Sequence, residues 1–176
     1  MGRMSSDNFE EIVSQHYEPL YKFAFSLTGN EADASDLTQE TFYIWATKGH
    51  QLRERSKVKS WLFTTLHREF LNKRKRAVRF PDVELIDGDA ELPAFTPELE
   101  TKLDATRVVE LLGQVTDPYR VAVSLFYLED YSYKEIAVIL AVPVGTVRSR
   151  ISRGIGQLQE FMLADKSSNF PWKAAG

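Results

Sequence analysis

Residues 81–97 hold three prolines, one glycine and five acids, Asp82, Glu84, Asp87, Asp89 and Glu91, and no hydrophobic period runs through them. Such a segment cannot carry a regular element through a core. Proline removes a backbone donor, and like charges in series keep a chain extended. On both sides the apolar residues recur at helical spacing, with no strand-like alternation. The expected fold is therefore all-α: two small helical domains joined by a flexible acidic linker. The expected boundaries are 7–80 for the first domain, 81–96 for the linker, 97–166 for the second and 167–176 for a tail.

In the first domain Phe9, Ile12, Val13, Tyr17, Leu20, Ala24 and Leu27 form one stripe, which Pro19 is expected to kink or restart. Gly29 suits a helix C-cap and Asn30 the N-cap of the next helix. That helix, expected over Glu31–Lys48 and closed by Gly49, turns Ala34, Leu37, Thr41, Ile44 and Trp45 inward. A third helix, over about 57–76, buries Val58, Leu62, Leu66 and Phe70. Beyond the linker, Thr96 and Pro97 are expected to open a helix as N-cap and first residue. Asp117 and Pro118 open another, through Val121, Ala122, Leu125 and Phe126.

Charge is distributed unevenly. The net charge is −3, but residues 1–80 carry 13 basic and 10 acidic side chains, residues 81–130 carry 3 and 12, and residues 131–176 carry 6 and 3. Basic charge supplies most sequence-independent affinity for nucleic acid, so the chain alone is expected to bind DNA weakly and to need a partner. There is no cysteine, which excludes disulfides and thiolate metal sites. No apolar run reaches the roughly 18 residues of a membrane span, and no secretory signal follows Met1. No membrane insertion and a cytoplasmic location are expected.

The second domain ends in a distinctive pattern. Ser132-Tyr133-Lys134-Glu135 reads as a capping box. The helix it opens turns Ile136, Ala137 and Leu140 inward, with Ala137 small where a second helix must cross. Ala141-Val142-Pro143 allows only a tight turn. The following helix buries Val147, Ile151, Ile155 and Leu158. Its outer side is expected to show Thr146, Ser149, Ser152 and Arg153, with Arg148 and Arg150 at the margins. Hydroxyls and arginines in that arrangement suit phosphate contact and base reading in a major groove, although an ordinary helical hairpin would share the outline. The pattern is a DNA-reading helix-turn-helix.

Tyr131-Ser132-Tyr133-Lys134-Glu135-Ile136-Ala137 and Val142-Pro143-Val144-Gly145-Thr146-Val147-Arg148-Ser149-Arg150 resemble region four of the extracytoplasmic-function (ECF) sigma factors, the smallest members of the sigma-70 family. Asp33-Ala34-Ser35-Asp36-Leu37-Thr38-Gln39-Glu40-Thr41-Phe42 resembles their region-two signature, and Trp61-Leu62-Phe63 with the helix that follows resembles the part that engages the −10 element. The three blocks stand in the family's order. The resemblance implies a transcription initiation factor whose partners are core RNA polymerase, promoter DNA and an anti-sigma factor.

By the same resemblance, Asp36, Gln39, Glu40 and Tyr43 contact core polymerase. They also share the face opposite the core stripe, about 200° to 300° round the helix, where a merely solvated acidic face is the plain alternative. Arg53, Arg55, Lys57, Arg68, Asn72 and Lys75 engage −10 DNA, with residues 52–57 as the base-capturing loop. Lys57, Ser60, Thr64, His67, Arg68, Asn72 and Lys75 are expected to share one outward face, fit for a separated strand. Part of the basic run at 73–76 needs no ligand, since it complements the helix dipole. Thr146, Arg148, Ser149, Ser152 and Arg153 read the −35 element. The resemblance also implies that the linker threads the polymerase's cleft, its acids imitating an RNA backbone; a plain tether is the other reading.

Three departures from the family stand out. Glu69 replaces the usual Asn and Asn72 a common Asp, so promoter sequence does not carry over. Gly154 and Gly156 stand where relatives carry Ala and a basic residue, and each is expected to weaken the recognition helix by up to about 1 kcal/mol relative to Ala. Trp61 reads as a packed core residue rather than a base-stacking one. Catalysis finds no support: His16, His50 and His67 are scattered, and there is no phosphate loop or nucleophile elbow. No catalytic residue, metal or cofactor is expected. The rival reading is a free-standing helix-turn-helix regulator, but no dimerisation helix is evident.

Overall fold

The computed structural model of the protein describes residues 6–77 and 105–167. The expected linker, the helix start at Thr96 and Pro97, and the tail beyond Ser167 lie outside the described residues. Among these residues there are seven α-helices and no strand: α1 (Ser6–Thr28), α2 (Glu31–Lys48), α3 (Val58–Ala77), α4 (Ala105–Gln114), α5 (Tyr119–Glu129), α6 (Tyr133–Leu140) and α7 (Val144–Ser167). Short 3-10 turns at Gly49–Gln51 and Arg55–Lys57 connect α2 to α3.

Pro19 does not divide α1, which runs unbroken through it. The missing donor costs the carbonyl of Gln15 its intrahelical partner, but Gln15 is exposed to solvent. The apolar stripe keeps its register across the proline, with Leu20, Phe23, Ala24 and Leu27 all buried. Packing of that stripe outweighs the local defect. The stripe differs from expectation at two positions: Tyr17, a member of it, is 39% exposed, and Phe23, outside it, is fully buried. The α1–α2 corner forms as expected. Gly29 adopts a left-handed φ of 74° and donates to the Phe25 carbonyl at 2.9 Å. The Asp33 amide then donates to Asn30 Oδ1 at 2.8 Å, satisfying an N-terminal donor of α2.

On α2 the buried arc is wider than one stripe. Thr38 and Phe42 join Ala34, Leu37, Thr41 and Trp45, while Ile44 is only partly buried. The Thr38 and Thr41 hydroxyls donate to the carbonyls of Ala34 and Leu37 at 2.7 and 2.8 Å, so their burial leaves no polar group unsatisfied. Phe23 and Phe63 meet across the bundle with centroids 5.2 Å apart. Each such buried side chain contributes roughly 1.5–3 kcal/mol.

The two helical units, one on each side of the expected linker, also pack on one another. Helix α1 packs on α4 and α5, and α3 packs on α6. One buried cluster runs from Leu20 and Phe63 through Leu125, Tyr131 and Ile136 to Ile151. A smaller cluster of Leu111, Leu112, Val115, Val123 and Leu158 holds α4, α5 and α7 together. At Gly154, α7 crosses α5 so closely that a Cβ would lie 2.2 Å from Val123 Cγ2. Gly154 is therefore not the simple weakness the helix scale implies; the crossing requires it. Gly156 has nothing within 4 Å, and there the propensity argument stands.

Candidate nucleic-acid interface

The helix-turn-helix is built by α6 and α7. Ser132 and Glu135 form the full capping box: the Ser132 amide donates to Glu135 Oε2 at 2.8 Å, and the Glu135 amide donates to Ser132 Oγ at 3.3 Å. The Ser132 amide first, and then the Ser132 hydroxyl, which donates to Glu135 Oε2 at 2.7 Å, hold the Glu135 carboxyl below its ordinary range. Ala141 turns the chain in the left-handed region, with φ 54°. The Val142 amide returns to the Ala137 carbonyl at 3.1 Å, and α7 begins two residues later. Ile136, Ala137, Leu140, Val147, Ile151, Ile155 and Leu158 are all buried, as the periodicity requires.

The outer face of α7 is narrower than expected. Arg148 is exposed, and Thr146, Ser149 and Arg150 are half-buried. Ser149 Oγ donates to the Thr146 carbonyl at 3.0 Å. Ser152 is only 4% exposed. The Arg153 guanidinium lies over the Tyr119 ring, 5.8 Å from its centroid, and donates to the Tyr119 hydroxyl at 3.3 Å. Ser152 and Arg153 therefore face the protein, correcting the expectation that both lie on the outer side. The cause is that α7 packs against α5 as well as α6, which widens its buried arc beyond the stripe a two-helix motif needs.

On α2, Asp36 and Gln39 are exposed and Tyr43 is 71% exposed. Glu40 differs, because its Oε2 lies 2.8 Å from Lys73 Nζ of α3. Around α3, Arg53, Arg55, Lys57, Arg68 and Lys75 are exposed. Lys57 pairs with Glu54 at 2.9 Å, and half-buried Asn72 donates to Glu69 Oε1 at 3.3 Å. The Thr64 hydroxyl is engaged by the Ser60 carbonyl at 2.7 Å. Trp61 packs edge-on against Trp45, with centroids 5.1 Å apart.

The expected outward face of α3 is not wholly outward. His67 is half-buried, and its imidazole is pushed down to about 4 by desolvation first and by the Arg150 charge second, with Asp117 acting the other way. Beside it a seam joins the two units. Lys59 Nζ lies 2.9 Å from Glu129 Oε2 and over the Tyr131 ring, 5.0 Å from its centroid. Phe63 meets Tyr131 edge-on at 5.7 Å. Arg74 and Arg120 both engage Asp117, and Arg120 also donates to the carbonyls of Leu27 and Gly113 at 3.4 and 3.2 Å. Burial raises the Glu129 carboxyl despite its partner Lys59. Nothing in the sequence marked these residues as a set, because the contacts that join the two units span 43 to 93 positions.

Among the described residues no group of His, Asp and Glu has the arrangement of a metal site, and no helix is long and apolar enough to cross a membrane. A capped helix-turn-helix with an exposed arginine, beside a bundle whose third helix is basic, defines a two-unit protein of the DNA-reading class. Two family models match the chain: Sigma-70 region 2 over residues 12–80 and Sigma-70, region 4 over residues 105–158. The chain is 35% identical over 164 residues to the ECF RNA polymerase sigma factor SigE of Mycolicibacterium smegmatis, an alignment spanning 91% of this chain and 63% of that one. It is 29% identical over 156 residues to the ECF RNA polymerase sigma factor SigM of Bacillus subtilis, spanning 85% and 92%. Its fold is similar to that of the sigma factor RpoE of Bartonella quintana, solved with the anti-sigma factor NepR: TM-score 0.68, 28% identity, 90% of this chain and 98% of that one. The chain belongs to the sigma-70 family, whose region-2 and region-4 models together match most of it in order.

Proposed function

We propose that the chain is an ECF sigma factor that binds core RNA polymerase and directs promoter-specific initiation by reading the −35 and −10 elements. The observation that carries this reading is the joint presence, in family order, of a region-two bundle and a fully capped helix-turn-helix. In this reading residues 7–80 and 97–166 are the two working domains and 81–96 is their connector. The protein is a non-catalytic specificity subunit acting in the cytoplasm, without cofactor or metal.

Exposed Asp36, Gln39 and Tyr43, with Glu40 at the edge, form the polymerase-docking face. Arg53, Arg55, Lys57, Arg68, Asn72 and Lys75 hold the −10 strand by phosphate and base-edge contacts. Thr146, Arg148 and Ser149 enter the −35 major groove, while Ser152 and Arg153 brace α7 from behind. Similarity to RpoE, whose structure is a complex with NepR, supports restraint of this chain by an anti-sigma factor. Run-off transcription with core enzyme on a promoter library tests the whole reading. Sequence-selective transcripts that depend on this chain are expected. A chain that binds a promoter yet never confers transcription on core enzyme is a free-standing regulator instead.

A further inference from the structure

The reading face of α7 is short. Ser152 is only 4% exposed, Arg153 lies on Tyr119, and at Gly154 the helix crosses α5. Base sequence must therefore be read by the opening turns of α7, residues 144–149. Within that stretch Val147 is fully buried. Thr146 and Ser149 are half-buried, and the Ser149 hydroxyl already donates to the Thr146 carbonyl at 3.0 Å. Val144, Gly145 and Arg148 are the exposed side chains that remain.

Val144 and Arg148 stand four residues apart, about 40° round the helix and one turn along it, so they share a side. At Gly145 beside them a Cβ would meet nothing within 4 Å, and no bulk there keeps a groove floor away. A lone exposed valine is ordinary on a protein surface. This one is 39% exposed at the first position of α7, and the N-terminal residues of a recognition helix are those that meet base edges. An isopropyl group neither donates nor accepts a hydrogen bond. The feature of a base edge that it matches is the C5 methyl of thymine. Its β-branched side chain is stiff at χ1, so such a contact orders little that was free.

We propose that Val144 is a specificity residue: it covers the C5 methyl of a thymine in the major groove, while Arg148 pairs with O6 and N7 of a guanine within about two base pairs of it. The separation follows from scale, because four helical residues rise about 6 Å and successive base pairs about 3.4 Å. The assignment rests on the DNA-reading role proposed for the second unit, and it adds the base which that unit prefers.

Selection of random-sequence DNA duplexes by the full chain at low ionic strength, where phosphate contacts are strongest, requires no polymerase. The selected duplexes should share a thymine close to a guanine. Uracil in place of that thymine removes only the methyl, and should weaken binding roughly fourfold, the factor that burial of one methyl group supplies. Val144→Ala should bind the thymine and uracil duplexes alike. Alanine favours a helix, so that loss is not the loss of α7. Val144→Thr keeps one methyl and should restore part of the discrimination. Val138→Ala trims an exposed valine of α6 and should leave the discrimination unchanged.

Equal binding of the two duplexes by the unsubstituted chain overturns the proposal, as does discrimination that survives Val144→Ala or a selection that enriches no thymine. A chain that tells thymine from uracil through Val144 but never confers transcription on core enzyme defeats the proposed function alone. One that transcribes without this discrimination defeats the present inference alone.

Discussion

Gly154 lies against Val123 so closely that a Cβ at residue 154 would sit 2.2 Å from Val123 Cγ2. Val123 is fully buried in α5, and a β-branched side chain has little rotamer freedom with which to yield. Gly154→Ala should therefore lower stability by about 1–3 kcal/mol through overpacking, against a gain of up to about 1 kcal/mol from helix propensity. Gly156→Ala, in open space, should raise stability by up to that same roughly 1 kcal/mol. Urea denaturation of the pair checks the contrast; stabilisation by both changes would show that α5 and α7 do not cross this closely.

Closure between the units should weaken in acid. His67 has its pKa lowered to about 4 in the closed arrangement, against roughly 6.5 when exposed. A depressed histidine opposes protonation, so its favourable contribution is complete above about 6.5 and is lost as pH falls toward 4. Arg150 of α7 and Asp117 before α5 face it, and Arg74 and Arg120 hold Asp117. Glu129, raised by burial, works in the opposite direction, since its closed form favours the proton. The distance between spin labels at Ser14→Cys in α1 and Lys134→Cys in α6, both exposed, should therefore lengthen between about pH 6.5 and 4, and His67→Gln should remove most of that change.

Ser132→Ala should destabilise the second unit by about 1 kcal/mol, because it removes the acceptor for the Glu135 amide. Thermal unfolding followed by circular dichroism measures it. Glu135→Ala should show a comparable loss, since Glu135 satisfies the Ser132 amide. No loss in either variant would mean that the box contributes nothing to this helix.

The α2 face should separate docking from folding. Asp36→Lys and Tyr43→Ala are expected to weaken core-polymerase binding by about tenfold each, equivalent to about 1.4 kcal/mol, with the melting temperature unchanged because both side chains are exposed. Quantitative pull-down with core enzyme is the measurement. Unaltered affinity in both would move the docking face elsewhere.

Arg148 and Arg153 should part company. Arg148 is exposed, while Arg153 lies on Tyr119. Arg148→Ala should weaken binding of the holoenzyme to promoter DNA and leave stability intact. Arg153→Ala should chiefly lower stability, by roughly 0.5–1 kcal/mol if the ring contact is worth what exposed cation–π pairs are. Footprinting and denaturation of the two variants give the comparison; reversed phenotypes would restore Arg153 to the DNA face.

Local chemistry made much of this protein legible. The corner at Gly29 and Asn30, the capping box at Ser132 and Glu135, the turn at Ala141 and the buried sides of α3, α6 and α7 each follow from a few neighbouring residues. Pro19 misled because local propensity counts one lost hydrogen bond and overlooks the stripe that continues past it. Ser152 and Arg153 misled for a related reason. Helical spacing shows which residues share a side, but not how many neighbours a helix will have.

By itself, the order of side chains determined the helices, their caps, the helix-turn-helix and the family signatures, because all of these depend on residues within about one or two turns of one another. Tertiary structure alone decided that the two units share a core, that Gly154 is required at a crossing, and that Lys59 meets Glu129 and Arg74 meets Asp117. Those relations are set by how whole helices pack. No periodicity within one helix records the partner that its buried face will find.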